Sequence, residues 1–174
     1  LPIFQRLKAV YATYWTKVVN VRETLPIPMI DCFHKESDTR IIVHLLHAIA
    51  AGLVSILIKT GNTDVVAILC GQYHQILQPM HIWIEFGSGK HQQNLNLGMI
   101  YQALGPKQYV SLPLFHALTG CDTTSAFRTK GKRICMEMWT KHQWLSDVLV
   151  ELTENPFRKT NAESEDFLHI EQFV

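Results

Sequence analysis

The sequence predicts an α/β domain with a mainly parallel sheet flanked by helices, and three observations lead there. Strand-like and helix-like patterns alternate through the middle of the chain, the order that builds a parallel sheet. The run Leu53–Lys59 (LVSILIK) is short, apolar and rich in β-formers, as a strand covered on both faces should be. The chain's 174 residues are 47% hydrophobic and only 18% charged, a composition that can fill one core and that excludes general disorder.

Each element has its own signal. Phe4–Val19 places apolar residues at positions 4, 7, 10, 11, 14, 15, 18 and 19, a helical stripe. Thr24–Phe33, with Pro26 and Pro28, reads as an extended connector. Apolar side chains nearly fill Asp38–Ala51, which predicts a mostly buried helix, capped at its start by Ser37 or Asp38 and stopped by Gly52. After the Leu53–Lys59 strand, Thr60–Thr63 is a turn, and Asp64–Leu77 returns to helical spacing through Val65, Val66, Ile68, Leu69 and Tyr73. Met80–Phe86 alternates as a strand around Trp83, and a turn at Gly87–His91 leads to an extended piece near Gln92–Leu95 that completes a hairpin. Met99–Leu104 forms a short helix closed by Gly105-Pro106, Ser111–Thr119 a further helix, and Lys132–Trp144 another. Glu151–Val174 is acidic and loosely patterned. The expected organisation is an N-terminal helix and connector over residues 1–35, a core over 36–146 and an acidic segment over 147–174.

The net charge of +1 argues against a generally basic protein but conceals a segregation. Residues 128–146 hold five basic side chains and one acid, whereas residues 147–174 hold two basic and seven acidic ones. The apolar runs Ile41–Val43 and Leu53–Ile58 fall far short of the ~20 residues that cross a bilayer, so no membrane partner is expected. The four cysteines, Cys32, Cys70, Cys121 and Cys135, form no Cys-x-x-Cys pair and follow no secretory signal, which favours a reduced intracellular compartment. Cys32 with His34 and His44 with His47 invite a zinc reading, but neither pair has the spacing of a structural zinc site, and ordinary half-buried residues explain them better.

The acids carry the functional argument. Between residues 36 and 122 there are only five: Glu36, Asp38, Asp64, Glu85 and Asp122. Asp64 lies just past the carboxyl end of the most apolar strand, the edge at which open α/β sheets collect ligands and catalytic groups. Glu36 and Asp38 occupy the lead-in to a helix, and Asp122 follows Gly120, which permits a tight backbone approach. Sparse carboxylates gathered at one sheet edge suit hard divalent cations, two of which, roughly 4 Å apart, can activate water and stabilise a leaving phosphodiester oxygen. Each residue also has a local explanation: Asp38 and Asp64 as helix N-caps, Asp122 as a turn former after glycine.

The order Lys35-Glu36-Ser37-Asp38-Thr39, then Thr60-Gly61-Asn62-Thr63-Asp64, then Leu118-Thr119-Gly120-Cys121-Asp122 resembles the flap endonuclease and XPG-like branch of the PIN-like nucleases. Within that branch it is similar to uncharacterised animal proteins related to mobile elements, through its His-Ala-x-Thr-Gly-Cys-Asp-Thr-Thr motif. The resemblance covers about Phe33–Trp144. It implies a PIN-like fold, hydrolysis of nucleic-acid phosphodiesters with DNA as the expected partner, an intracellular and nuclear location, and Mg²⁺ or Mn²⁺ held by Glu36, Asp38, Asp64 and Asp122, with Asp64 and Asp122 at the chemistry. It also places Asn62 where the family has an aspartate. An amide oxygen there can still coordinate the metal but brings no charge. The family draws further aspartates from N-terminal strands, whereas residues 1–35 offer only Glu23 and Asp31, so the N-terminal part of the domain is expected to lie outside this chain. Two readings follow: a nuclease, active or weakened, and a non-catalytic nucleic-acid-binding or interaction module derived from one.

Arg128, Lys130, Lys132 and Arg133 cluster around Gly131 at the start of a helix, where backbone amides and basic side chains can hold a phosphate. This stretch resembles the glycine-and-lysine turn of the family's helix–two-turn–helix element. A solvated basic loop is the plain alternative. Trp139 and Trp144, with Ile134 and Met138, match a helical core face better than a base-stacking platform, and Trp83 is expected in the core as well. Lys90 in Gly-Ser-Gly-Lys belongs to a hairpin turn and not to a Walker A loop.

Overall fold

The computed structural model describes residues 11–14, 17–20, 36–73, 80–128, 130–159 and 161–173. The chain divides into two compact units, Leu1–Leu53 and Val54–Val174.

In the first unit, β1 (Tyr11–Tyr14) and β2 (Lys17–Asn20) pair antiparallel, with Tyr11 opposite Asn20 and Tyr14 opposite Lys17. The helix expected over Phe4–Val19 is therefore corrected where the chain is described. Tyr, Thr and Val dominate these two segments, and such residues fit a pleated strand better than a helix even where their spacing suits both. Residues 4–10, and the connector expected over 24–33, lie outside the described residues. Helix α1 (Ser37–Ala50) forms as expected, although its N-cap is Glu36 instead of Ser37 or Asp38. It stops where Gly52 N–H reaches Ile49 O at 2.9 Å and Leu53 N–H reaches Ala48 O at 3.0 Å, the paired bonds of a Schellman end. The helix is half-buried and not mostly buried: Arg40 and Leu45 are inside, while Leu46 is 41% exposed.

The second unit is α/β. Its sheet has the order β3-β4-β5, with β3 (Ser55–Thr60) parallel to β4 (His81–Phe86) and β4 antiparallel to β5 (Gln93–Asn96). The pairs run from Ser55–His81 to Thr60–Phe86 and from Trp83–Asn96 to Phe86–Gln93. Among the described residues the sheet is thus mixed, because the expected hairpin forms around a 3-10 turn at Gly89–His91. Helix α2 (Thr63–Gln72) links β3 to β4, and α3 (Leu97–Leu118) packs on α2 and β4. Inside α3, Gly105 leaves helical geometry at φ +76° and Pro106 starts the next helical stretch, so the expected stop is a kink.

Alternation along the strands decides what is buried. Ile58, Ile82 and Ile84 are buried, whereas Leu57 is 40% and Trp83 38% exposed on the other face. Two expectations are corrected here. The Leu53–Lys59 strand is covered on one face only, and Trp83 lies outside the core. An apolar run alone does not report how many layers cover it.

A second core closes the carboxyl half. Helices α4 (Lys132–Lys141), α5 (Trp144–Glu154) and α6 (Glu165–Phe173) enclose Phe115, Cys135, Trp139, Leu145, Leu149 and Phe173. Phe115 stacks on Trp139 at a centroid distance of 4.5 Å, and Phe173 lies 6.3 Å from Phe115. Trp139 is core as expected, but Ile134 is 47% and Trp144 36% exposed. The boundary expected between residues 146 and 147 falls inside α5, and the segment 147–173 supplies two helices to this core. Asp166, 6% exposed, holds α6 through Arg158 at 2.9 Å. Cys70, Cys121 and Cys135 are free thiols. Among the described residues, no helix is long and apolar enough to cross a membrane.

Candidate functional site

Strand β3 delivers the chain to the site through a ladder of short side-chain bonds. Thr60 Oγ1 accepts from Asn62 N–H at 3.0 Å, and Asn62 Oδ1 accepts from Asp64 N–H at 2.8 Å. Asn62 is therefore the N-cap of α2, which leaves the Asp64 carboxylate free of that task. Asp64 Oδ1 instead lies 2.7 Å from His116 Nε2 in the last turn of α3, with 23% and 13% of the two side chains exposed. An acid in the first turn of α2 complements that helix's dipole.

Most of the Leu118–Thr124 motif turns out to finish α3. The last carbonyls of a helix need partners from outside it. Phe115 O accepts from Thr119 Oγ1 at 2.8 Å, Ala117 O from Thr124 Oγ1 at 2.6 Å, and His116 O from Lys132 Nζ at 2.8 Å. The same ammonium also reaches Thr119 Oγ1 at 3.2 Å and Gly120 O. Cys121 and Thr124 then exchange backbone bonds of 3.2 and 3.3 Å, closing a tight turn that leaves Asp122 exposed. The Thr123 hydroxyl, 3.3 Å from Cys121 Sγ, and then Thr124 hold that thiol below its usual range, at about 7.

These segments bring Asp64, His116, Cys121, Asp122 and Lys132 to the walls of one open cleft of about 400 Å³. The two acids expected at the chemistry thus share a site, although they come from different motifs. Glu36 and Asp38 stand together at the start of α1 in the other unit, where Ser37 Oγ bonds Asp38 Oδ1 at 3.2 Å and Thr39 Oγ1 bonds Glu36 O at 3.2 Å. Glu85 is paired with Lys59 at 2.5 Å. Of the basic cluster, Arg128 and Lys130 are exposed, and Arg133 is exposed with an i, i+4 partner in Glu137 at 3.2 Å. Lys132 differs from its neighbours, since its charge points inward at carbonyl oxygens instead of outward at a ligand. Replacing it with methionine is expected to cost about 2 kcal/mol, by leaving three oxygens of the α3 terminus short of a donor. Urea unfolding measures this, and a loss below ~0.5 kcal/mol would show the ammonium to be solvated.

Two carboxylates line the cleft, Asp64 and Asp122. Asp64 Oδ2 and the Asp122 carboxylate are the kind of oxygens Mg²⁺ takes, and that ion is commonly held by one or two carboxylates with water and substrate phosphates completing its shell. Among the described residues, no three His, Cys, Asp or Glu side chains form a group that could hold a metal ion. The zinc pair His44 and His47 lies on α1, while Cys32 and His34 fall outside the described residues.

No family model, curated protein or solved structure matches the chain. One side chain of this site, His116, is not among the residues that the sequence singles out, and Lys132, singled out for phosphate, is turned to protein oxygens instead. His116 was visible as the first letter of its motif, but nothing in the sequence said that it faces Asp64. The inward turn of Lys132 likewise depends on where α4 starts relative to the end of α3.

Proposed function

We propose that this cleft is the site of a nuclease-like domain of the flap endonuclease and XPG-like PIN type, acting on phosphodiester bonds of nucleic acid and of DNA in the first place. The observation that carries the reading is the meeting of Asp64 and Asp122 in one cleft beyond the carboxyl end of a parallel strand. Asp64 Oδ2 and Asp122 would hold Mg²⁺ or Mn²⁺. When bound, such an ion polarises a phosphoryl oxygen and makes water more acidic. The chain's own part is to orient the two carboxylates and to hold the substrate's backbone. Arg128, Lys130 and Arg133 neutralise phosphates beside the cleft, and the α4 N-terminus, with Gly131 as N-cap and no side-chain cap, adds backbone donors. A DNA substrate would place the protein in the nucleus.

The test is cleavage of flap, gapped and single-stranded DNA by the 174-residue chain with Mn²⁺. Cleavage is expected, and Asp122→Asn should lower it on the order of a hundredfold. Substrates left uncut by the parent chain remove the catalytic half of the proposal.

The capping bond from Asn62 favours a second reading, a binding module that kept the fold and lost the metal chemistry, because the residue standing in a metal ligand's place is used for structure. Asn62→Asp keeps a competent N-cap and restores the charge. Cleavage that appears only in that variant identifies a decayed nuclease, and DNA binding that weakens steeply with salt identifies phosphate contact in either case.

A further inference from the structure

We infer that His116 is the positioning residue of Asp64, holding its carboxylate at the cleft that Asp122 also lines; the inference rests on the nuclease reading. Because Asn62 supplies the N-cap of α2, the Asp64 side chain is not used as that cap. Among the described residues its side-chain contact is with His116 Nε2 at 2.7 Å, across from α2 to α3. An Nε2–H donating to Oδ1 leaves Oδ2 for a cation, the arrangement in which an outer hydrogen bond aims a ligand.

His116 is itself held firmly. Its carbonyl is bonded by the Lys132 ammonium at 2.8 Å, and the turn that follows is pinned by Thr119 and Thr124. Asp122 rides on that same pinned turn. The packing of α3 on α2 fixes the two backbones, and the His116–Asp64 bond fixes where the Asp64 carboxylate stands relative to the turn that carries Asp122. Without it, Asp64 can rotate about χ1 toward the amides of its own helix or toward water, and the pair loses its common target.

Mn²⁺ titration followed by electron paramagnetic resonance tests this on the whole chain, with thermal melting of the metal-free proteins reporting that each variant is folded. His116→Leu should weaken Mn²⁺ binding at least about tenfold, and His116→Gln, whose amide N–H takes the place of Nε2–H, should stay within about threefold of the parent. Should His116→Leu melt, His116→Asn, whose amide stops short of Asp64, should show the same tenfold loss. The inference is overturned if His116→Leu binds as tightly as the parent while Asp64→Asn has lost binding, and the nuclease reading then stands without it. His116→Gln as weak as His116→Leu also overturns it. A parent chain that binds no Mn²⁺ removes both.

Discussion

Replacing Trp139 with alanine is expected to lower the unfolding free energy by about 4 kcal/mol. The indole is fully buried, stacked on Phe115 at 4.5 Å and 26°, and enclosed by Leu145, Leu149 and Phe173. Its Nε1–H donates to Ser146 Oγ at 2.9 Å, so truncation also strands a buried hydroxyl. Helices α3, α4, α5 and α6 all meet this ring or its neighbours, and none of them can slide to fill the space without losing the others. Trp139→Phe keeps the stack and removes only the donor, and should cost about 1–3 kcal/mol. Urea unfolding of the two variants checks both figures, and a midpoint drop of roughly 10 °C should accompany the alanine variant. A loss under ~1 kcal/mol for Trp139→Ala would mean that the 147–173 helices do not close on the ring.

Much of this architecture is legible in the chain, for identifiable reasons. The α2 and α4 patterns, the hairpin after Trp83 and the interruption at Gly105-Pro106 are local signals, and local chemistry decides them. The stripe from Phe4 to Val19 misleads because Tyr, Val and Thr at helical spacing are also good strand formers, and β1 and β2 take that option. The exposure of Leu57 and Trp83 depends on how many layers cover the sheet, which no single strand records. The segment after Asp147 carries its apolar residues (Val148, Leu149, Ile170, Phe173) among many acids, so its charge outweighs its periodicity until the α3–α4 core gives those residues a surface to bury against. At the site, Asp64 and Asp122 are legible because residue type and order suffice for them. The partner of Asp64 and the direction of Lys132 are not, since a side chain's heading is fixed by elements far away in sequence: His116 stands 52 positions from Asp64.

Gly120→Ala is expected to cost roughly 3 kcal/mol and to take the cleft with it. The backbone there has φ +95°, a region that an L side chain enters only with strain of about 1–3 kcal/mol. A Cβ at this position would stand 2.6 Å from Ala126 Cβ, 2.9 Å from Ala126 Cα and 3.0 Å from Ala126 N. Two of those three are main-chain atoms, so relief requires the Cys121–Thr124 turn to open instead of a side chain to swing. Opening it draws Gly120 O away from the Lys132 ammonium and Thr124 Oγ1 away from Ala117 O, which uncaps α3 beside His116. Asp122 then leaves its place in the cleft wall that it shares with Asp64. Gly61→Ala is the control: its φ is ordinary, nothing lies within 4 Å of the added carbon, and it stands two residues before Thr63 of the same cleft. It should change stability by less than ~0.5 kcal/mol. Calorimetry should therefore show a midpoint lower by roughly 6–12 °C for Gly120→Ala and unmoved for Gly61→Ala. Equal midpoints for the two would mean that the glycine after Thr119 is a tolerance of the turn and not its requirement. Mn²⁺ binding by Gly120→Ala, assayed well below its midpoint, separates the two consequences: affinity retained in a folded but destabilised protein would show that Asp122 does not depend on this turn for its position.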